Sequence, residues 1–299
     1  MQVASPNANN FLKRIRVYIA RMPSLSTTVT KVLETCNDPN ASANDLNRVI
    51  SLDPVLAGQV LRLINSAYYA LPHAITSLPR AIIMLGLNTV KNLALSLAVL
   101  ETMSGKGAMR TLNINDFWAH SLCVGVSARC ISELKGASSS EREDYFIAGL
   151  LHDLGKIPLN KQFPEQYRKA FNTANNNDDL RPLFLAENEI FGLNHCMVGE
   201  LIAEKWQLGA SLIQSLTYHH CAHEAQPDTQ AFVTVVALAN VCANRWQIGT
   251  SGDSSEDESV MSDLLEQVGM ENSVLKELHE RVLTEIEKAK IFLEISGRG

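Results

Sequence analysis

The feature that most limits what this chain can build is a missing one: apolar residues recur at three- and four-residue spacing nearly everywhere, and almost no period-two alternation is long enough to make a sheet. An all-α fold is expected. The 299 residues, 46% of them hydrophobic, can bury a sizeable core, and their number allows two domains.

Asp53-Pro54 opens one helix with a capping carboxylate and a proline at its first position, and Val55, Leu56, Val60, Leu61, Leu63 and Ile64 give it an apolar face. The same spacing predicts helices over 9–21, 25–36 and 42–51. The most apolar stretch, Ala81 to Leu100, is interrupted by Gly86, Asn88, Lys91 and Asn92, which a lipid-facing span would tolerate poorly. Two core helices meeting at Gly86 are expected there, and no membrane partner.

Asn115 and Asp116 cap a long helix, FWAHSLCVGVSARCISEL, which GASSSERED ends. Further helices are predicted near 162–174, 180–190, 194–205, 209–220 and 229–246. The acidic stretch GTSGDSSEDES has the composition of a disordered linker, and about 259–296 reads as one or two amphipathic helices.

Lys plus Arg number 26 against 32 Asp plus Glu, a net charge of −6, so no basic surface is announced for nucleic acid. The cysteines at 36, 123, 130, 196, 221 and 242 show no C-x-x-C spacing, and MQVASPNANN lacks a basic-then-apolar signal. Reduced thiols and a cytoplasmic protein are the expectation.

The chemistry gathers between residues 120 and 240. In DYFIAGLLHDLGK, Gly155 fits a helix C-cap, which places His152 and Asp153 in a last turn where the negative end of the helix dipole favours a cation. His120 lies in the long helix, His195 follows the turn FGLN, and His219 and His220 stand together in SLTYHHCAHEA. Imidazole with carboxylate suits Zn, Fe, Mn or Ni without choosing among them. Taken singly, each histidine is more readily a hydrogen-bonded core residue than a ligand.

The order His120, His152-Asp153 and then ALAN at 237–240 resembles the HD superfamily of metal-dependent phosphohydrolases, whose pattern is a helix histidine, an HD pair and a later helix aspartate. Upstream, residues 22–96 are similar to the HDOD domain, the HD-related output domain of bacterial signalling proteins. The marks are Pro23, Asp53-Pro54, Asn65-Ser66-Ala67 and the Leu85-Gly86 corner, joined downstream by HDLGK, Trp206 and His219-His220, over roughly 10–245.

This resemblance implies a multi-helix HD-related bundle with an N-terminal helical HDOD part over 1–110, an HD-like metal-capable core over 111–248, an acidic linker over 249–258 and C-terminal helices over 259–299. It also implies a metal held among His120, His152, Asp153, His195, His219, His220 and Asn240, and a regulatory role through signalling protein partners or a nucleotide-like small ligand.

Two departures bear on activity. Asn240 stands where the superfamily has its last carboxylate, and Cys221-Ala222-His223-Glu224-Ala225 stands where relatives that hydrolyse cyclic dinucleotides have Gly-Tyr-Pro. With one carboxylate left, a single divalent ion is expected rather than a bridged pair. Lys156 could meet a phosphate, although a cation near a helix end explains it as simply, and Arg129 is the next candidate. Three readings follow: a signalling module with a metal-capable core, which the departures favour; an active phosphohydrolase; and a relic whose polar residues only bond to one another.

Overall fold

The computed structural model describes residues 6–103, 109, 111–176, 179–253 and 258–297. The first six helices are α1 (Pro6–Arg21), α2 (Thr27–Asn37), α3 (Ala43–Ile50), α4 (Pro54–Ile64), α5 (Leu78–Leu85) and α6 (Leu87–Met103). Then come α7 (Ile114–Leu134), α8 (Ser139–Leu151), α9 (Lys156–Gln162), α10 (Pro164–Ala174), α11 (Leu183–Phe191) and α12 (His195–Lys205). The chain continues with α13 (Ala210–Tyr218), α14 (Gln230–Arg245), α15 (Glu258–Val268), α16 (Leu275–Ala289) and α17 (Ile291–Ile295). Among the described residues the only strand pairing joins Asn175–Asn176 to Asp179–Leu180, antiparallel.

Local chemistry sets the starts. Ser42 with Asp45, and Ser138 with Glu141, form reciprocal capping boxes for α3 and α8. Asp53 accepts from the Leu56 N–H with Pro54 in the first turn, as the sequence predicts. At Gly86 the backbone turns to φ 87°, and α5 and α6 diverge by 116°. Together those two helices would be long enough and apolar enough for a membrane, but no single described helix is, and α6 buries Val90, Leu93, Leu97 and Leu100 in the core.

One apolar core runs through the described chain, drawing buried residues from α1 to α17. Phe11 of α1 meets the rings of Phe163 and Phe191 edge-on, and Lys205 of α12 donates to the carbonyls of Ile19, Ala20 and Met22 at the end of α1. On another face, Asn88 and Asn92 of α6 donate to the Asp144 carboxylate of α8, and Tyr69 donates to Glu143. Arg129 lies over the Tyr68 ring and pairs with Glu143 and Glu285, so it is a tie between helices and not a phosphate ligand.

Backbone approach fixes the centre. A Cβ on Gly149 of α8 would lie 2.7 Å from the Cα of Gly125 of α7, so these helices cross almost in contact. His120 and His152 flank that crossing.

Gly155 is no left-handed cap: its φ of −63° and ψ of −20° are right-handed helical, and the chain runs from α8 through the turn 152–155 into α9, a helix the sequence reading does not separate from its neighbours. Glycine is needed there for space, because a Cβ would fall on the His195 carbonyl oxygen and 2.7 Å from Gly199 N of α12. Gly155→Ala should therefore cost roughly 3 kcal/mol by forcing α12 away from the turn. A urea midpoint that shifts by less than the equivalent of about 0.5 kcal/mol would show that the contact relaxes freely.

Candidate metal centre

Five segments deliver the polar side chains. His120 comes from α7; His152 and Asp153 from the turn after α8; His195 from the first turn of α12, which Asn194 caps by accepting from Met197 N. His219 and His220 end α13, and Asn240 faces them from α14. His120, His152, Asp153, His195, His219 and Asn240 are buried, and His220 is half-buried.

Asp153 is the hub. Its Oδ2 lies 3.2 Å from His152 Nε2 and 3.9 Å from His120 Nε2, while Oδ1 lies 3.4 Å from His195 Nε2 and 3.6 Å from His219 Nε2. The ligand atoms fall into two groups, each compact enough for one ion: His120, His152 and Asp153; and His195, Cys196, His219 and His220. Asn240 Oδ1 accepts from His120 Nε2 at 3.0 Å, which leaves the lone pair of His120 on Nδ1, a buried atom with no hydrogen-bond partner.

The tautomers follow from the outer partners. His152 Nδ1 faces the Gly149 carbonyl at 2.7 Å and His219 Nδ1 faces the Ser215 carbonyl at 3.0 Å. Carbonyl oxygens only accept, so both protons sit on Nδ1 and both Nε2 atoms carry lone pairs. His195 is arranged likewise, its Nδ1 2.6 Å from Glu187 Oε2, which also accepts from the His195 backbone N–H.

The lone pairs of His195 and His219 therefore point at one another, Nε2 to Nε2 at 3.4 Å, and His220 Nε2 stands 3.1 Å from His195 Nε2. Protonation would relieve the conflict, but burial holds His120 and His195 down at about 3 and His219 at about 4. His220 is likewise lowered by burial. Burial alone would raise the Asp153 carboxyl, yet the neighbouring His152 and the Lys156 ammonium hold it well below its usual range. His152 Nε2 and Asp153 Oδ1 have no hydrogen-bond partner. A divalent cation in either group would give the bare atoms of that group a partner, with outer carbonyls and a carboxylate orienting the imidazoles as metal sites require.

Lys156 is buried, its Nζ 2.9 Å from Asp153 Oδ2, 3.1 Å from Ser251 Oγ and 3.3 Å from Asp253 Oδ2. All three ammonium donors are engaged. It is neither a cation exposed at a helix end nor free for a phosphate.

Its partners correct a second expectation. Residues 250–253 of the acidic stretch are no solvated linker: Thr250 N donates to Asp116 O, Ser251 is fully buried, and Asp253 accepts from Leu183 N at the start of α11. Residues 254–257 of that stretch lie outside the described residues. Composition marks the stretch as polar, but not that its polar atoms have buried partners.

Sequence reasoning also passes over Glu187 and Cys196. Glu187 falls with Leu183, Ala186 and Phe191 on the buried side of α11, a charged residue among apolar ones, and that position is its only signal. Beside the centre a cavity of about 190 Å³ opens between Phe184, His220, Asn240, Asn244, Arg245 and Met261, with Phe184 stacked on His220 at 4.6 Å.

An all-α domain in which helix histidines and an HD pair converge on a metal-capable centre is of the HD type. The chain belongs to the HDOD domain family, whose sequence profile matches residues 22–222.

Solved relatives share the fold. An HDOD domain protein of unknown function from Geobacter sulfurreducens superposes with a TM-score of 0.73 at 24% identity, covering 96% of this chain and 98% of that one. A candidate phosphohydrolase from Shewanella amazonensis gives 0.69 at 21% identity, over 94% and 97%. A protein described as a candidate signal transduction protein, from Marinobacter aquaeolei, gives 0.69 at 17% identity, over 99% and 67%. An uncharacterised protein of Treponema pallidum is 24% identical over 225 residues, 74% of this chain and 42% of that protein. The chain thus spans about two fifths of the length of that curated relative.

Proposed function

We propose that this chain is a regulatory module of a signal-transduction pathway whose core holds a divalent transition metal, and that it acts in the cytoplasm through a protein partner. The carrying observation is the enclosure of Lys156 by Asp153, Ser251 and Asp253, which leaves the cation nearest the centre without a donor for a substrate phosphate. Asn240 in place of a carboxylate removes one charge that a phosphodiester-cleaving pair of metals would need. The Marinobacter relative's description as a candidate signal transduction protein agrees with this reading.

The cavity next to His220 and Asn240 favours a small regulatory ligand over a cyclic dinucleotide. At about 190 Å³ it falls below the ~300–1,000 Å³ of ordinary ligand pockets. The second reading is a metal-dependent phosphohydrolase, supported by the same cavity's contact with two candidate ligands.

Metal-loaded protein incubated with cyclic dinucleotides and with a chromogenic phosphodiester should turn over neither faster than His152→Ala. Metal-dependent hydrolysis that disappears in His152→Ala would replace the regulatory reading with the enzymatic one. Elemental analysis of the same samples separates both from a metal-free relic.

A further inference from the structure

We infer that Cys196 is a thiolate ligand of the metal in the half of the centre formed by His195, His219 and His220. Four of the six cysteines are buried, and buried cysteine is ordinarily a small hydrophobe. Cys196 alone among the described cysteines has its sulfur within ligand distance of a histidine group. Cys123, by contrast, meets only the Ser127 hydroxyl.

The geometry is that of a four-ligand site. Zinc-like ions take nitrogen at about 2.0–2.1 Å and sulfur at about 2.3 Å, so tetrahedral ligation separates two nitrogens by ~3.4 Å and nitrogen from sulfur by ~3.6 Å. Here His195 Nε2 lies 3.4 Å from His219 Nε2 and 3.1 Å from His220 Nε2, and Cys196 Sγ lies 4.0 Å from His219 Nε2. All four ligand atoms stand within 4.8 Å of one another. The three shortest of these separations are within about half an ångström of the tetrahedral values.

His195 and Cys196 are consecutive in the first turn of α12, where the positive end of the helix dipole offsets part of the burial that raises the Cys196 thiol. Charge points the same way. Asn240 leaves Asp153 as the carboxylate shared by the two ligand groups, and a thiolate restores a second negative charge beside the ion. On binding, Cys–SH gives its proton to solvent and its sulfur lone pair to the metal, with no change of oxidation state. A three-histidine, one-thiolate set selects Zn, Fe(II) or Co(II) over magnesium and manganese.

This inference rests on the metal-holding reading, and cobalt separates the two. Metal-free protein titrated with Co(II) alone should develop visible ligand-field bands together with a near-ultraviolet thiolate-to-cobalt charge-transfer band. Cys196→Ser should lose the near-ultraviolet band and keep cobalt, while Cys221→Ser, at the half-buried neighbouring thiol, keeps both. Cobalt binding without the charge-transfer band in the unmodified protein, or a band that survives in Cys196→Ser, overturns the thiolate assignment and leaves the metal reading intact. Failure to bind cobalt overturns both. Since the unmodified protein supplies the first readout, the test holds even if a variant does not fold.

Discussion

Asp153→Asn is expected to lower metal affinity by more than a hundredfold while leaving the helices in place. Each carboxylate oxygen of Asp153 faces two imidazoles, Oδ2 toward His120 and His152 and Oδ1 toward His195 and His219. An asparagine can turn one carbonyl oxygen toward one group only, and its amide hydrogens then face the other. It also removes a full negative charge at ligand distance. At an effective dielectric of about 20, such a charge is worth several kcal/mol before desolvation, and a net loss of ~3 kcal/mol corresponds to the hundredfold figure.

The fold should survive because Lys156 keeps Ser251 and Asp253 as partners. Competition against a chelator measures the affinity, and far-ultraviolet circular dichroism the helices. If the variant carries its full metal load, Asp153 is not the hub, and the ion lies entirely within the His195, Cys196, His219 and His220 group.

The helices of this protein are legible because each is a local event. Capping residues such as Asp53 and Ser138 announce starts, and period-3.6 apolar positions mark the faces that pack. The histidine and aspartate set is legible for a different reason: its order along the chain matches a known pattern, and the described geometry brings every one of those residues to one centre.

What stays hidden is non-local. Nothing around Gly155 says that its missing side chain makes room for His195 O, 40 residues on, rather than for a left-handed turn. Likewise, GTSGDSS has the composition of a linker, and only the fold shows that Asp253 meets both Lys156 and the start of α11. Cys196 escapes because a single thiol without a second cysteine nearby carries no spacing signal.

The metal-free protein should be sharply acid-labile, losing stability below about pH 6.5. His120 and His195 titrate at about 3 and His219 at about 4 in the fold, all lowered first by burial, whereas each takes a proton near 6.5 once unfolded. Stability from these lowered values is complete above the unfolded pKa and is lost as pH falls toward the folded one. Glu187 opposes them: burial lifts it to about 8 from 4.5, so its contribution is complete below 4.5 and fades as pH rises through 8.

Between pH 4.5 and 6.5, unfolding therefore takes up four protons, at His120, His195, His219 and His220, which burial also lowers well below its usual range, and releases one at Glu187, three net. At ~1.4 kcal/mol per proton and pH unit, that is roughly 4 kcal/mol per unit, or on the order of 8 kcal/mol across the window. Domains commonly have only about 5–15 kcal/mol to lose. Urea midpoints of the metal-free protein at half-unit steps from pH 7.5 to 4.5 should fall steeply below 6.5, with unfolding in buffer alone near pH 5. Glu187→Gln keeps an acceptor for the two N–H groups of His195 but cannot take a proton, so its profile should be steeper, with four protons in place of three. A flat profile in the unmodified protein would mean that the imidazoles exchange protons freely with solvent, and the lone pairs that the metal assignment depends on would then not be held bare by the fold.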